Sequence, residues 1–157
     1  MVRNPRIFDL RFNRTWSEYK YAFGFNLNLW MGLEWMHKLS SFYNGPKKVQ
    51  LYCSNGDTNV GFSILYDSFT LDDESLLYKA TVGAVSDASG DTLGSPNLQR
   101  FCTYDRPCND LPNITMGGWW YVTNLEKNAL THPATHLYCR KNNIDFEAHS
   151  ISIAYQY

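Results

Sequence analysis

The sequence predicts an α+β fold: a central antiparallel sheet with two short helices, a loop-rich part, and a last strand that returns to the sheet. Three observations support this class. Helical signals lie near the start of the chain, apolar residues alternate with a period of two in the middle, and the segment 151–155 alternates again after a long irregular stretch. Helices that flank an antiparallel sheet are typical of α+β domains.

Two short helices are predicted in the first part of the chain. Thr15 and Glu18 form a capping box, in which each side chain binds the free backbone N–H of the other residue. Gly24 is a suitable residue to end this helix, because glycine tolerates the left-handed conformation. A second helix, ended by Asn44–Pro46, is indicated by apolar residues at every third position: Trp30, Leu33, Met36 and Leu39.

Alternating apolar residues then predict three strands. The first contains Val49, Leu51 and Cys53, and the second runs from 60 to 66. The Asn-Gly pair at 55–56 between them is typical of a hairpin turn. A third strand is predicted at 76–82 after a solvated turn at 71–74, and a loop follows at 86–95.

Composition excludes several classes of function. The chain has 157 residues, which suits one compact domain. Its net charge is −1 and it contains no basic run, which argues against a nucleic-acid partner. No apolar segment approaches the roughly 18 residues of a membrane span. The first residues also lack the apolar centre of a secretory signal, whereas sequons at Asn13 and Asn113 predict a secreted glycoprotein.

The segment from Phe101 to Tyr121 (FCTYDRPCNDLPNITMGGWWY) resembles the fibrinogen C-terminal domain family, which contains a Phe-Ser-Thr-Tyr-Asp and a Gly-Gly-Trp-Trp-Tyr in this order. The resemblance extends over about two-thirds of the chain and includes further segments upstream: 15–20 (TWSEYK), 23–24 (FG), 30–34 (WMGLE), 37–39 (HKL), Gly83 and 90–93 (GDTL).

This resemblance implies a fibrinogen C-terminal-like fold over 1–157. It implies a central sheet subdomain at about 1–100, a loop-rich ligand-binding subdomain at about 101–148 and a returning strand at 149–157. The family normally has a further N-terminal subdomain, so we expect the chain to be a fragment or a shortened form of a longer secreted protein. Oligomerisation is expected only through regions absent from this chain.

The resemblance also implies a Ca²⁺ site in the loop after Tyr104, where family members use two aspartates spaced by one residue and backbone oxygens. Asp105 matches the first aspartate, but Pro107 stands at the second position and has no side-chain oxygen. Ca²⁺ takes about six to eight oxygens, so Asp110 would have to contribute. The alternative, which we favour, is a proline-stiffened turn in which Asp105 accepts hydrogen bonds from nearby amides.

Cysteine pairing differs from the family pattern. Four cysteines allow three complete pairings. The half-cystines that many family members have in this loop and after the Trp pair correspond to Leu111 and Asn124. We therefore expect a local Cys102–Cys108 disulfide around Asp105 and, as the remainder, Cys53–Cys139, with free buried thiols as the alternative.

The predicted ligand-binding residues are Trp119, Trp120, Tyr121 and Asn124. In lectin-like members, a Cys-His pair just after the Trp-Trp-Tyr forms an acetyl-group pocket, often with a cis bond. Asn124 stands there in this chain, and a cis bond between residues other than proline costs about 2.5–4 kcal/mol. In a strand, Trp119 and Tyr121 would share one face and Trp120 the other, so we expect at least one ring in the core and one at a surface.

Histidines offer one metal alternative. His132, His136 and Cys139 have a spacing that zinc could use, although Pro133 interrupts it and no second cysteine pair accompanies it. This would make the protein a zinc-dependent enzyme. His37, beside the apolar stripe of the second helix, is interpreted as a structural histidine. No residue is assigned a catalytic role, because the sequence contains no nucleophile with a neighbouring base.

The functional prediction is a non-catalytic extracellular recognition domain, lectin-like or pattern-recognising, which the resemblance implies. The alternative is a secreted signalling or adhesion ligand that binds a protein receptor. Expected partners are therefore a carbohydrate or a protein receptor, and a structural remnant without a ligand remains a further alternative.

Overall fold

The structure, a computed structural model, describes residues 12–25, 28–42, 47–55, 60–86, 99–110, 112–113, 117–121, 138–141 and 144–155. The helices and strands of these residues are, in chain order, α1 (Trp16–Lys20), β1 (Phe23–Phe25), β2 (Asn28–Trp30), α2 (Leu33–Phe42), β3 (Lys47–Asn55), β4 (Val60–Tyr66), β5 (Phe69–Leu71), a 3₁₀ turn (Glu74–Leu76), β6 (Ala80–Val82), β7 (Tyr138–Lys141) and β8 (Ile144–Tyr155).

The main sheet has four strands in the order β4-β3-β8-β7. All neighbours are antiparallel, and β8 pairs with β3 so that Leu51 lies opposite Ile151. The predicted return of the last strand to the sheet is therefore confirmed, and so is the α+β class. The C-terminal part of the sheet is longer than the predicted returning strand at 149–157, because it begins with β7 at Tyr138. The predicted subdomain boundaries stay a prediction.

The hairpin of β3 and β4 follows the predicted alternation. Asn55, the last residue of β3, pairs with Val60, the first of β4, and the residues 56–59 that connect them lie outside the described residues. Val49, Leu51 and Cys53 are buried, whereas Tyr52 between them is exposed. β3 therefore has one face in the core and one in solvent, which is typical of antiparallel sheets.

The first helix has the predicted capping box but ends earlier than expected. Glu18 N–H donates to Thr15 Oγ1 at 3.3 Å, and Thr15 N–H donates to Glu18 Oε2 at 2.9 Å. The helix ends at Lys20, and Gly24 lies in β1 with a φ of 86°. The prediction that Gly24 ends the helix is therefore wrong.

The second helix begins later than its apolar stripe predicted. Trp30 belongs to β2, and the chain turns at Gly32, whose φ is 94°. A Cβ at Gly32 would lie 2.7 Å from the backbone carbon of Tyr21, so this turn requires glycine. α2 is the longest helix of the described residues, and none of these helices is long and apolar enough to cross a membrane.

One face of α2 is held against β5. Leu33, Met36 and Ser40 are buried. His37 Nδ1 lies 2.7 Å from the carbonyl oxygen of Leu71, which confirms the structural interpretation of this histidine.

The predicted strand at 76–82 is wrong in its first half. Asp73 accepts hydrogen bonds from the N–H groups of Ser75 and Leu76, which favours a 3₁₀ turn over an extended chain. Leu77 and Tyr78 then have φ values of 56° and 45°, and β6 starts only at Ala80. Tyr78 is held there by tertiary contacts, since its carbonyl oxygen accepts from Trp120 Nε1 at 2.7 Å.

The core is an aromatic cluster that joins distant parts of the chain. The ring centroid of Tyr19 lies 5.1 Å from that of Trp30 and 5.2 Å from that of Phe101. The Tyr19 hydroxyl donates to the Phe12 carbonyl at 2.6 Å and accepts from Gly118 N–H at 2.8 Å. α1, β2 and the segments at 101 and 118 are therefore packed around one buried tyrosine.

Candidate functional site

The segment 101–110 forms a loop closed by the predicted Cys102–Cys108 disulfide, with Cα atoms 5.6 Å apart. Cys102 also exchanges two backbone hydrogen bonds with Trp119, at 2.9 and 3.1 Å. The loop and the Trp-Trp-Tyr segment are therefore one structural unit. Cys53 is disulfide-bonded as well. The side chain of Cys139 lies outside the described residues, so the Cys53–Cys139 pairing stays a prediction.

Asp105 connects this loop to the first helix. Its Oδ1 accepts from the N–H of Trp16 at 2.9 Å and from Thr103 Oγ1 at 2.8 Å. Trp16 is the first residue of α1, where backbone N–H groups have no partner within the helix. The carboxylate thus accepts from an amide that is 89 positions away and from a hydroxyl of its own turn, whereas the favoured sequence interpretation had only nearby amides as donors.

The described residues of the loop do not assemble a Ca²⁺ donor set. One oxygen of Asp105 is already used by two donors, Pro107 has no side-chain oxygen, and Asp110 is exposed. Over the described parts of the chain, no three His, Cys, Asp or Glu side chains are grouped as metal ligands. A Ca²⁺ ion on Asp105 and Asp110 stays a prediction without support from this arrangement.

Trp119, Trp120 and Tyr121 are all buried. The expectation that one of these rings faces a surface is therefore wrong, because the segment is packed on both sides and not half-exposed like an edge strand. Trp120 Nε1 donates to Tyr78, and the Tyr121 hydroxyl donates to the carbonyl of Gly117. Trp119 Nε1, by contrast, is buried and has no hydrogen-bond partner in the described structure. Ligand binding by these residues stays a prediction.

Several predicted residues lie outside the described part of the chain. These are Asn124 of the ligand-binding set and both histidines of the zinc alternative, His132 and His136. Asn13 and Asn113, the predicted glycosylation sites, are described and exposed.

A charged cluster around Glu74 lies next to α1. Glu74 accepts from Lys20 Nζ at 2.6 Å and from Trp16 Nε1 at 2.8 Å. Arg106, whose guanidinium carbon lies 4.3 Å from the Trp16 ring centroid, approaches the same carboxylate at 3.8 Å. The hydrogen bond from Lys20 and that from Trp16 lower the pKa of Glu74 below its ordinary value. This cluster fixes the 3₁₀ turn against α1.

We expect Glu74→Gln to reduce stability at neutral pH and to have less effect in acid. A carboxyl whose folded-state pKa is lowered stabilises the fold above its unfolded pKa, about 4.3 for Glu, and loses this contribution as the pH falls through the folded pKa. The expected loss of stability is small, because the Glu74 side chain is 38% exposed and solvent screens its ion pair with Lys20. Urea midpoints of variant and parent, measured from pH 7 to pH 3, should converge. Asp110→Asn is the control, and a pH-independent difference for Glu74→Gln would contradict the prediction.

Sequence reasoning missed two exposed aromatic residues, Tyr21 and Trp35, which are 59% and 57% exposed. Tyr21 packs against Gly32, just before α2, and Trp35 lies in the first turn of that helix. Lys20 Nζ lies 5.9 Å from the Tyr21 ring centroid, and Lys38 Nζ lies 5.8 Å from that of Trp35. We call these four residues the Tyr21–Trp35 surface. The signal in the sequence was that Trp35 lies off the apolar stripe of its helix.

The chain is similar to known proteins both in sequence and in structure. A fibrinogen-like protein A from Apostichopus parvimensis is 32% identical over 128 residues, which is 76% of this chain and 44% of that protein. The fibrinogen-like globe domain of human ANGPTL2 superimposes with a TM-score of 0.63 at 31% identity, over 72% of this chain and 53% of that one. The chain thus spans about half the length of these two relatives.

A more distant structure shares the fold. Lamprey fibrin D-dimer, solved with the peptide ligand Gly-His-Arg-Pro-amide, has a TM-score of 0.59 at 18% identity, over 71% of this chain and 41% of that one. The family model of the fibrinogen beta and gamma chains, C-terminal globular domain, matches residues 6–147. This match covers most of the sequence and includes β3, β4, β7 and the Trp-Trp-Tyr segment, whereas β8 continues beyond it to Tyr155. The chain belongs to the family of fibrinogen C-terminal globular domains.

Proposed function

We propose that this chain is a non-catalytic, extracellular recognition domain whose partner is a protein, as in an adhesion or signalling ligand. The observation that supports a protein partner is a contrast between two sets of aromatic rings. Those on which a sugar would stack, in the Trp-Trp-Tyr segment, are buried, whereas Tyr21 and Trp35 are exposed beside lysines. Trp and Tyr are enriched among the few residues that contribute most of the binding energy at protein interfaces.

The Tyr21–Trp35 surface has the rigidity that such an interface needs. Tyr21 follows directly after α1, and its backbone is in close contact with Gly32. Glu34 accepts from the buried Tyr78 hydroxyl at 2.9 Å and pairs with Lys38 at 3.3 Å, so this lysine is oriented by a group anchored in the core. Side chains that are already ordered lose less conformational entropy on binding.

A lectin-like function is the second candidate, and one observation favours it. The Nε1 of Trp119 is a buried donor without a partner in the described structure. Such a group is costly unless an acceptor from water or a ligand reaches it. An acetyl or hydroxyl oxygen of a sugar has the required chemistry.

The two candidates are separated by binding of the labelled, tetramerised chain to a panel of mammalian cell lines. For a protein partner, we expect trypsin treatment of the cells to abolish binding, and treatment with N-glycosidase and sialidase, or with EDTA, to leave it intact. Trp35→Ala should weaken binding by about thirtyfold or more, as is typical of a central interface tryptophan.

The matched control is Tyr52→Ala, which removes an exposed aromatic side chain on β3. This variant should bind like the parent. Binding that N-acetylglucosamine or the glycosidases abolish would contradict the protein partner and support the lectin. Unchanged binding by Trp35→Ala, or no binding to any cell line, would also contradict the proposal.

A further inference from the structure

A cleft of about 510 Å³ lies beside the 3₁₀ turn, and none of its lining residues belongs to the Tyr21–Trp35 surface. It is lined by Asp72, Ser75, Leu76, Leu77, Lys79 and Arg100. Three backbone hydrogen bonds fix its walls: Asp72 N–H to the Lys79 carbonyl at 2.9 Å, Phe101 N–H to Leu77 at 2.9 Å, and Ala80 N–H to Gln99 at 3.2 Å. Its volume is in the range of small-ligand sites, about 300–1,000 Å³.

The charges that line the cleft are unbalanced. Lys79 and Arg100 make no ion pair with any described residue, and only one carboxylate, that of Asp72, shares the cleft with them. The neighbouring acids are already engaged: Asp73 accepts from Ser75 and Leu76, and Glu74 accepts from Lys20. Among the described residues, the lining of the cleft therefore has a net positive charge, and it suits an acidic ligand group.

The wall next to these cations is apolar and conformationally constrained. The Leu76 side chain is 57% exposed. It is followed by two residues other than glycine with positive φ, Leu77 and Tyr78. Residues held in this conformation occur preferentially at binding and active sites, where the surrounding structure fixes them. In this chain the positive φ values of Leu77 and Tyr78 follow directly after Leu76, which lines the cleft together with Lys79 and Arg100.

The combination of two cationic side chains with an exposed leucine favours a peptide ligand over a sugar. No aromatic side chain lines the cleft among the described residues, so a sugar ring has no surface on which to stack. A carboxylate next to an aliphatic side chain, by contrast, matches both the cations and Leu76.

We propose that this cleft binds an acidic segment of a protein partner, with a Glu or Asp carboxylate on Lys79 and Arg100 and a neighbouring aliphatic side chain on Leu76. The proposal rests on the protein partner proposed above and adds a second contact, of defined chemistry, to the Tyr21–Trp35 surface. It is tested with free peptides, so its failure leaves the cell-binding result unaffected.

The probe is the peptide acetyl-Gly-Glu-Leu-Glu-Leu-Gly-amide, titrated into the ¹⁵N-labelled chain and followed by amide chemical shifts. We expect shifts concentrated at 75–80 and 99–101, with a dissociation constant on the order of 1 mM, as suits one or two contacts. The same peptide with Gln in place of Glu should cause no saturable shift. Lys79→Gln/Arg100→Gln should weaken binding at least tenfold.

The control variant Arg14→Gln/Lys48→Gln removes the same charge outside the cleft and should bind the peptide like the parent. Both double variants change side chains at the surface, so amide spectra without peptide should keep the dispersion of the parent. Three results would overturn the proposal: equal shifts with the Gln peptide, no shifts at several times the expected dissociation constant, or saturable shifts of the cleft only with a sulfated heparin tetrasaccharide. The last result would assign the cleft to an acidic sugar.

Discussion

Gly118→Ala is expected to destabilise the protein by about 3 kcal/mol or more, at the upper end of the cost of overpacking a core. A Cβ at this position would lie 2.6 Å from the Tyr19 ring. Tyr19 has no room to move, because it is fully buried between Trp30 and Phe101 and its hydroxyl bonds the backbone of Gly118 itself. Calorimetry should show a melting temperature lower by on the order of 10 °C.

The chain offers a matched control for this substitution in Gly61→Ala. A Cβ at Gly61 would also collide with a tyrosine, reaching 2.7 Å from the Cζ of Tyr52. Tyr52, however, is 39% exposed on the solvent face of the sheet, so its side chain can rotate away. This variant should melt within a few degrees of the parent. Similar losses in the two variants would show that Tyr19 is less constrained than its contacts indicate.

Trp120→Ala is expected to lose about 3–5 kcal/mol of stability, the range for removing a buried tryptophan. The ring lies 4.9 Å from that of Phe101 and 5.3 Å from that of Trp119. Its Nε1 also supports the left-handed backbone at Tyr78. Since domains are stable by only about 5–15 kcal/mol, urea denaturation should show a much lower midpoint.

Trp35→Ala is the matched control, because it removes the same side chain from an exposed position. Its stability should change by no more than about 0.5 kcal/mol. The pair separates folding from recognition: Trp120→Ala should lose binding only through unfolding, and Trp35→Ala should lose binding while it stays folded. A Trp120→Ala variant with an unchanged urea midpoint would show that this ring is not part of the core.

Local structures that depend on residues close together in the chain could be predicted from the sequence. The capping box of Thr15 and Glu18 depends on groups three residues apart, and both of its hydrogen bonds form as expected. The pairing of β3 with β4 follows from the alternation of apolar residues in the two segments, whereas the predicted Asn-Gly turn falls on residues 56–59, outside the described part of the chain, and on Asn55, which belongs to β3. The Cys102–Cys108 disulfide joins residues six positions apart, and the loop between them is short enough to close without help from the rest of the fold.

The candidate sites could be predicted only in part. The resemblance predicted ligand binding at 101–121, which in the structure is packed into the core as one unit. The residues proposed for recognition lie elsewhere in the chain. Trp35 and Arg100 carry no motif. Their exposure, and their position beside Lys38 and Lys79, depend on how α2 and the segment at 99–101 pack against the chain.

The sequence by itself determined the family, the α+β class and the local structures whose hydrogen bonds close within a few residues. Only the tertiary structure decided that Asp105 caps α1, that Tyr78 interrupts a predicted strand and that the Trp-Trp-Tyr rings are buried. The physical reason is the distance in sequence between the partners. The Asp105 carboxylate meets an amide 89 residues away and Trp120 meets a carbonyl 42 residues away, and no local pattern specifies either contact.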